Sequence, residues 1–518
     1  MDEERATGGF YDPFRVLDIR IVNKNVEGYV TPKVDDLSFK HIGPFTFINQ
    51  PNYFYPHYFV SRIKIGNREY PILFYKYTGP LYIYIPRLFT TIFGKNIYIV
   101  RSLCLISLLL CILAYFRFLR ISFYEKEAFL LTAFLFTYPF FSTRFCTFST
   151  WANTIVFIFS VLLLIRMKKI FENSCLQTKD IFIFFLLGGL ILHFHLLAGG
   201  ALFASMNIAF FLTRKELSFK NLKFPPIFFS ILIFLFLILP FATGISLKDI
   251  LTFLSKGESL TLKKIILMPF LPIGLFIAFI FFPSFFIDMQ IQGRFNFIYI
   301  FFSGLPGILI ACSLYEIIRK ESNFDRFVFF TICFYFIFST FSPYLQPYHF
   351  NYIFILIVPF IFSYLQRSRL SKKLTTLVLT LSICLNVFQI EMLRKSVINS
   401  SFSFNLHKEV LKFLEENNIE EVYNFVGRIG YEFLSNGRIK TIDFHPYLSH
   451  RSKEKLYLSL LMARGKVIMV EKFKRIGLST GISPEEVMEL ARGYGLNIRV
   501  IKSFPSDRNP LITLMKVE

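Results

Sequence analysis

Two histidines, His193 and His195, interrupt an otherwise apolar stretch of the chain. An ionisable side chain at membrane depth is a functional candidate. A spacing of two, however, turns the rings toward different faces of a helix, which argues against a shared metal ion. A pair of hydrogen-bonded structural histidines is the competing reading. Three cations, Lys76, Arg87 and Arg101, flank the first long apolar run. Guanidinium clamps a phosphate in its plane and ammonium acts on it as a point charge; the same residue types also anchor a chain at the membrane interface. Two carboxylates, Asp2 and Glu3, stand at the start. A carboxylate within reach of a hydroxyl can take its proton, although solvated charges at a terminus are ordinary.

The cations belong to one stretch, residues 75–101, reading YKYTGPLYIYIPRLFTTIFGKNIYIVR. Gly79-Pro80 signals a turn. Behind it Leu81, Ile85, Leu88, Phe89 and Ile92 recur at three- and four-residue spacing, which predicts an amphipathic helix, and Gly94 stops it as a C-cap residue does. The stretch therefore reads as a helix lying on a membrane surface, followed by a helix entering it.

The rest of the chain agrees with a membrane. Of 518 residues, 54% are hydrophobic and 70 are Phe, more than a soluble domain uses. The net charge of +22 does not point to nucleic acid. Much of it sits in short loops between apolar runs, at 166–179, 213–223, 319–326 and 366–373, as the positive-inside pattern requires. The seven Cys form no C-x-x-C pair, which excludes a zinc ribbon or redox motif.

Residues 1–96 hold no spanning run and read as an aromatic-rich first outer loop. Residues 97–391 form the transmembrane domain. Eleven apolar segments occur there: 97–118, 127–143, 150–166, 180–195, 197–213, 224–243, 265–287, 297–318, 326–342, 349–365 and 373–391. Three lie between two basic loops that must share a side, so one does not cross. The segment 265–287, interrupted by Pro269, Pro272 and Pro283, is expected to be re-entrant. Ten crossings then place both termini on the extracytoplasmic side of the cell (inner) membrane. The sequence has no signal peptide, so an apolar helix of ~20 residues is expected upstream of Met1.

Residues 392–518 change character. Helices at 405–417, 428–435, 452–464 and 483–494 alternate with strands at 420–426, 439–444, 466–471, 496–504 and 511–517, predicting an extramembrane α/β domain. Gly427-Arg428-Ile429-Gly430 lacks the third glycine and the acidic partner of a dinucleotide loop.

Tyr77, Gly79-Pro80-Leu81, an amphipathic helix, Phe93-Gly94, Arg101 and a spanning helix together resemble the end of the first outer loop in polyprenyl-phosphate-sugar-dependent glycosyltransferases. These are the GT-C enzymes of the protein-mannosyltransferase and aminoarabinose-transferase type, glycosyltransferase family 39. The resemblance implies a polytopic α-helical, GT-C-like membrane protein that moves a sugar from a polyprenyl phosphate to a lipid, glycan or protein acceptor. It implies Asp2 and Glu3 as catalytic carboxylates, with Lys76, Arg87, Arg101 and His349 holding the donor phosphate. Tyr77, Gly79 and Pro80 would form the substrate loop. His349 heads a helix carrying Pro359, where the family has Arg-Tyr or His-Tyr; capping of that helix by His349 and Asn351 is the alternative. The family's Asp between its third and fourth helices is missing from residues 142–153, so no metal is argued and no cofactor beyond the lipid-linked donor is expected. Partners are then the donor, the acceptor and membrane lipids, with no nucleic acid. The other classes open are a transporter or flippase, although no internal repeat is visible, and a non-catalytic membrane scaffold.

Overall fold

The computed structural model describes residues 38–42, 45–51, 58–66, 68–75, 78–94, 97–139, 141–142, 151–214, 218–219, 223–244, 270–284, 297–319, 322–340, 350–399, 403–424, 431, 435, 438–443, 460–461, 463–471, 483–505 and 511–518. Four strands open it: β1 (Ser38–Ile42), β2 (Phe45–Pro51), β3 (Tyr58–Ile65) and β4 (Arg68–Tyr75). They pair in sequence order as an antiparallel meander. Turn residues and aromatics marked this segment as ordered, but no strand was expected there. Its apolar positions follow no clean period of two over most of the segment, and two register shifts between β3 and β4 blur the pattern further.

A surface helix follows, α1 (Leu81–Phe93). Gly94 ends it at φ +101°, with its N–H donating to the Thr90 carbonyl; a side chain at that φ is strained. Leu81, Ile85 and Phe89 pack against the core beside buried Tyr82. Leu88 and Ile92, which the spacing put on the same apolar stripe, instead face outward at 61% and 64% exposure. The helix is thus apolar on two sides, one meeting protein and one left open, as suits a helix at a lipid boundary.

The bundle comprises α2 (Ile97–Leu119), α3 (Glu125–Thr137), α4 (Trp151–Asn173), α5 (Thr178–Phe194), α6 (Ala198–Thr213), α7 (Phe224–Gly244), α8 (Phe270–Phe281), α9 (Ile298–Arg319), α10 (Asn323–Thr340), α11 (Asn351–Ile357), α12 (Pro359–Arg367) and α13 (Lys372–Ile398). Among the described residues four helices are long and apolar enough to cross a membrane by length and composition: those at Arg101–Leu119, Phe224–Phe241, Ile298–Arg319 and Lys372–Ile398. A minor parallel pair, β5 (Cys175–Leu176) with β6 (Ser218–Phe219), ties two interhelix loops together. Helix α8 has 12 described residues; the rest of the expected re-entrant segment, 265–269 and 285–287, lies outside the described residues. The Tyr138 hydroxyl donates to the Ile280 carbonyl of α8 at 2.6 Å, and the Phe276 ring packs edge-on against Phe336 and at a tilt against Phe350 and Phe354.

Two contacts fix the antiparallel pairing of α4 and α5. At one end Trp151 meets Phe194, ring centroids 5.7 Å apart. At the other, buried Asp180 forms an ion pair with Arg166 and accepts the Gln177 amide at 2.8 Å. Glu316, also buried, binds Arg367 at 3.1 Å and joins α9 to α12. The segment expected as one helix over 349–365 breaks at Val358. Pro359 has no N–H to give the Ile355 carbonyl, and the Tyr115 hydroxyl of α2 donates to that carbonyl at 3.3 Å instead.

Beyond α13 lie α14 (Phe404–Glu416), β7 (Glu421–Asn424), β8 (Lys440–Asp443), β9 (Val467–Glu471), α15 (Pro484–Gly493), β10 (Ile498–Phe504) and β11 (Ile512–Val517). The five strands form one sheet, order β10-β11-β9-β7-β8, parallel in β8-β7-β9 and antiparallel in β9-β11-β10. Alternation along β9 separates the faces. Met469 clusters with Leu406, Val410 and Leu414 of α14, whereas Ile468 and Val470 share a cluster with Val487 and Ala491 of α15. All five expected strands are present. The helix expected over 428–435 is described only at Tyr431 and Ser435, and that over 452–464 only at 460–461 and 463–464.

Candidate active site

At the Trp151 end of the bundle, α1 starts on top of α5. The Gly79 N–H donates to the His193 carbonyl at 2.7 Å. The Leu81 N–H, one of the four amides a helix start leaves without an internal partner, donates to His193 Nε2 at 3.2 Å. On the opposite side of the ring, His193 Nδ1 lies 2.8 Å from the Leu237 carbonyl of α7. A carbonyl only accepts, so Nδ1 carries the proton and Nε2 the lone pair. Gly79 lies so close that a Cβ there would sit 2.6 Å from the imidazole.

His195 does the equivalent for α6 with its other nitrogen. The Ala198 N–H, which opens α6, donates to His195 Nδ1 at 3.1 Å. Both rings are buried. They point apart, as their spacing implies, and each satisfies the start of a different helix. The structural reading of the pair is the one the geometry supports.

Behind His193 stands a buried aromatic and amide cluster. Trp151 packs against Tyr82 of α1 at 5.9 Å and donates from its indole N–H to Ser107 Oγ of α2 at 2.9 Å. Two residues on, Asn153 Oδ1 accepts the Tyr352 hydroxyl of α11 at 2.7 Å. Next to Tyr352, Asn351 is fully buried, and neither atom of its amide has a hydrogen-bond partner. The Thr78 hydroxyl, beside Gly79, is likewise buried without one. Such groups carry a desolvation cost of about 1–3 kcal/mol each. The N-cap of α11 is Phe350, and Asn351 makes no capping bond, so the capping role considered for it does not hold.

The sequence-derived site residues fall into two groups. Gly79 and Pro80 form the turn on His193, Arg87 sits half-buried on α1, and Arg101 is exposed near the start of α2. Asp2, Glu3, Lys76, Tyr77 and His349 lie outside the described residues. Burial and charge attraction act oppositely on Tyr84, one turn before Arg87: burial raises its pKa, and the Arg87 charge offsets part of that rise. Sequence reasoning missed Trp151, Asn153 and Thr78, and weighed Asn351 only as a helix cap. The single Trp of the chain and the amides beside apolar runs were the available signals. Among the described residues, no three His, Cys, Asp or Glu side chains cluster as metal ligands would.

No protein-family model matches the sequence, and no curated protein matches it. The chain is similar to two solved structures of ArnT. The crystal structure of ArnT from Cupriavidus metallidurans bound to undecaprenyl phosphate aligns over 85% of this chain and 88% of that one, at 11% identity and a TM-score of 0.49. The apo-state structure of the same protein aligns over 86% and 89%, at 12% identity and a TM-score of 0.42.

Proposed function

We propose that this protein is a membrane glycosyltransferase that moves a sugar from a polyprenyl-phosphate donor to a lipid, glycan or protein acceptor at the outer face of the membrane. One observation carries the reading. The Gly79-Pro80 turn, which bears the resemblance to the family, is seated on His193 by a hydrogen bond from the Gly79 N–H to its carbonyl and one from the Leu81 N–H to its ring. From that turn runs a lipid-boundary helix bearing Arg87, and beneath it lies a buried cluster with the unpartnered polar groups of Asn351 and Thr78.

In this reading an acceptor hydroxyl or amine attacks the anomeric carbon. The bond from that carbon to the phosphate oxygen breaks with inversion, and the acceptor proton passes to the Asp2 carboxylate, with Glu3 beside it. The departing polyprenyl phosphate is already a stable anion and needs cations more than a general acid. Lys76, Arg87 and Arg101 supply them, Arg by its planar fork, and His349 donates a hydrogen bond beside them. The basic loops mark the cytoplasmic side, which sets Gly79, His193 and the sheet of β7–β11 on the other.

The test is transfer of labelled sugar from a purified polyprenyl-phosphate donor to membrane or cell-envelope acceptors by the protein in lipid vesicles. Release of polyprenyl phosphate that depends on the protein supports the reading. Vesicles that move the intact donor across the bilayer and release none would leave a flippase in its place.

A further inference from the structure

A cleft of about 630 Å³ opens at the end of the C-terminal sheet where β7, β8 and β9 begin and β11 finishes. That volume lies within the range of small-molecule sites, roughly 300–1,000 Å³. Four cations border it: Arg438, Lys440, Lys466 and Lys516. Two of them are engaged. Arg438 pairs with Glu415 at 2.7 Å, and Lys466 lies 3.8 Å from Glu421. Lys440 and Lys516 are exposed, and neither side chain has an ion-pair partner among the described residues. Lys516 stands in register with Val467 of β9, and Lys440 with Glu421 of β7. Their strands are the two ends of the run β11-β9-β7-β8, three interstrand spacings or about 14 Å apart.

Other kinds of group share the space. The Asn418 amide and the Glu420 and Glu421 carboxylates line it; an amide donates and accepts, a carboxylate only accepts. Ile419, Val467 and Ile501, each half-buried, give it an apolar floor. Gly465 adds no side chain, and nothing stands within 4 Å of where one would begin. Two separated lysines draw anionic groups. A bare polyphosphate would meet the Glu420 and Glu421 charges and leave the apolar floor unused. Hydroxyls beside the anionic groups satisfy the carboxylates and the amide, and the C–H face of a sugar ring covers the aliphatic side chains. The separation of the two lysine strands asks for more than one ring. We infer that this cleft binds an acidic oligosaccharide, its carboxylate or phosphate groups on Lys440 and Lys516, its hydroxyls on Asn418, Glu420 and Glu421, and its ring carbons against Ile419, Val467 and Ile501. The inference does not rest on the proposed reaction: every residue of the cleft lies beyond α13, and no transfer step enters it.

The experiment titrates the full-length, detergent-purified protein by calorimetry with four probes: tri-galacturonate, the neutral galactose trisaccharide, its 6-phosphorylated form and inorganic phosphate. At least one acidic trisaccharide is expected to saturate at one copy per chain and to bind roughly tenfold or more tighter than the neutral one; the tighter of the two identifies the acid. Lys440→Gln and Lys516→Gln should each weaken that binding roughly tenfold, since a charge-assisted hydrogen bond is lost. Both side chains are exposed, so the melting temperature of the free protein should not move. Lys516→Arg should keep the affinity. Lys412→Gln, at an exposed lysine of α14 outside the cleft, should bind like the parent. Should one lysine variant not accumulate, the other decides. Equal affinity for the neutral trisaccharide, or unchanged affinity in the lysine variants, overturns the site. An equal loss in Lys412→Gln replaces it with diffuse attraction to a basic protein. Inorganic phosphate binding as tightly as the acidic trisaccharides refutes the saccharide and leaves a simple anion site.

Discussion

Gly79 and His193, 114 positions apart in sequence, meet so closely that no side chain fits between them: a Cβ on Gly79 would lie 2.6 Å from the imidazole. A surface loop and a bundle helix are joined there by backbone and ring together.

Gly79→Ala is expected to push the ring away or lift the start of α1, at a cost of about 1–3 kcal/mol for overpacking. Under the proposed function, transferase activity should fall with it. His193→Ala removes the clash but leaves the Leu81 amide without its acceptor, so the double variant should be better folded than the sum of the two single variants implies. Thermal unfolding of all three in one detergent checks this.

Arg87→Ala should weaken donor binding, seen as a raised KM with kcat nearly unchanged, because a cation beside phosphate acts already in the ground state. Asp2→Asn should instead lower kcat by roughly 10²–10⁴ with melting unaltered. Initial rates at varied donor concentration separate the two, and full activity in Asp2→Asn would remove its catalytic role.

Tyr352→Phe deletes the hydroxyl that Asn153 accepts and leaves a buried amide oxygen unpaired, worth about 1–3 kcal/mol. Asn351→Ala, whose amide bonds to nothing in the structure, should be neutral or stabilising toward heat. If Asn351 serves the substrate, activity should fall while the melting temperature does not. A parallel loss of both would make Asn351 a packing residue.

Asp180→Asn should destabilise the protein by roughly 3–5 kcal/mol, the cost of stranding one partner of a buried ion pair. Arg166 is the partner left. Loss of folded protein after gentle heating, followed by size-exclusion fluorescence, gives the readout, and Asp180→Asn melting like the parent would contradict the pair's structural role.

Orientation has its own check. Tyr494, 41% exposed in the C-terminal unit, changed to Cys should react with a membrane-impermeant maleimide on intact cells. Labelling only after lysis would reverse the proposed topology.

Much of this architecture is legible in the residues because apolar length and strand period are local signals. The turn at Gly79-Pro80, the stop at Gly94 and the five strands of the C-terminal sheet follow from residue type and spacing. The candidate-site end is not local. Tyr82, Trp151, Asn153 and Tyr352 come from helices far apart in the chain, and each looks alone like an ordinary interfacial aromatic or amide. Leu88 and Ile92 went astray for a related reason: periodicity finds apolar faces but does not tell lipid from protein as their neighbour. The opening meander escaped because its apolar positions do not alternate cleanly, and register shifts between β3 and β4 blur the pattern further.

The cap on α1 also sets an order of events during synthesis. The Leu81 amide waits for His193, 112 residues later, and His193 in turn waits for the Leu237 carbonyl, a further 44 residues on. At a translation rate of roughly 5–20 residues per second, the surface helix spends on the order of ten seconds made but undocked. A ribosome-bound chain ending before α5 should therefore be cut by protease in α1, and one extending past α7 should resist.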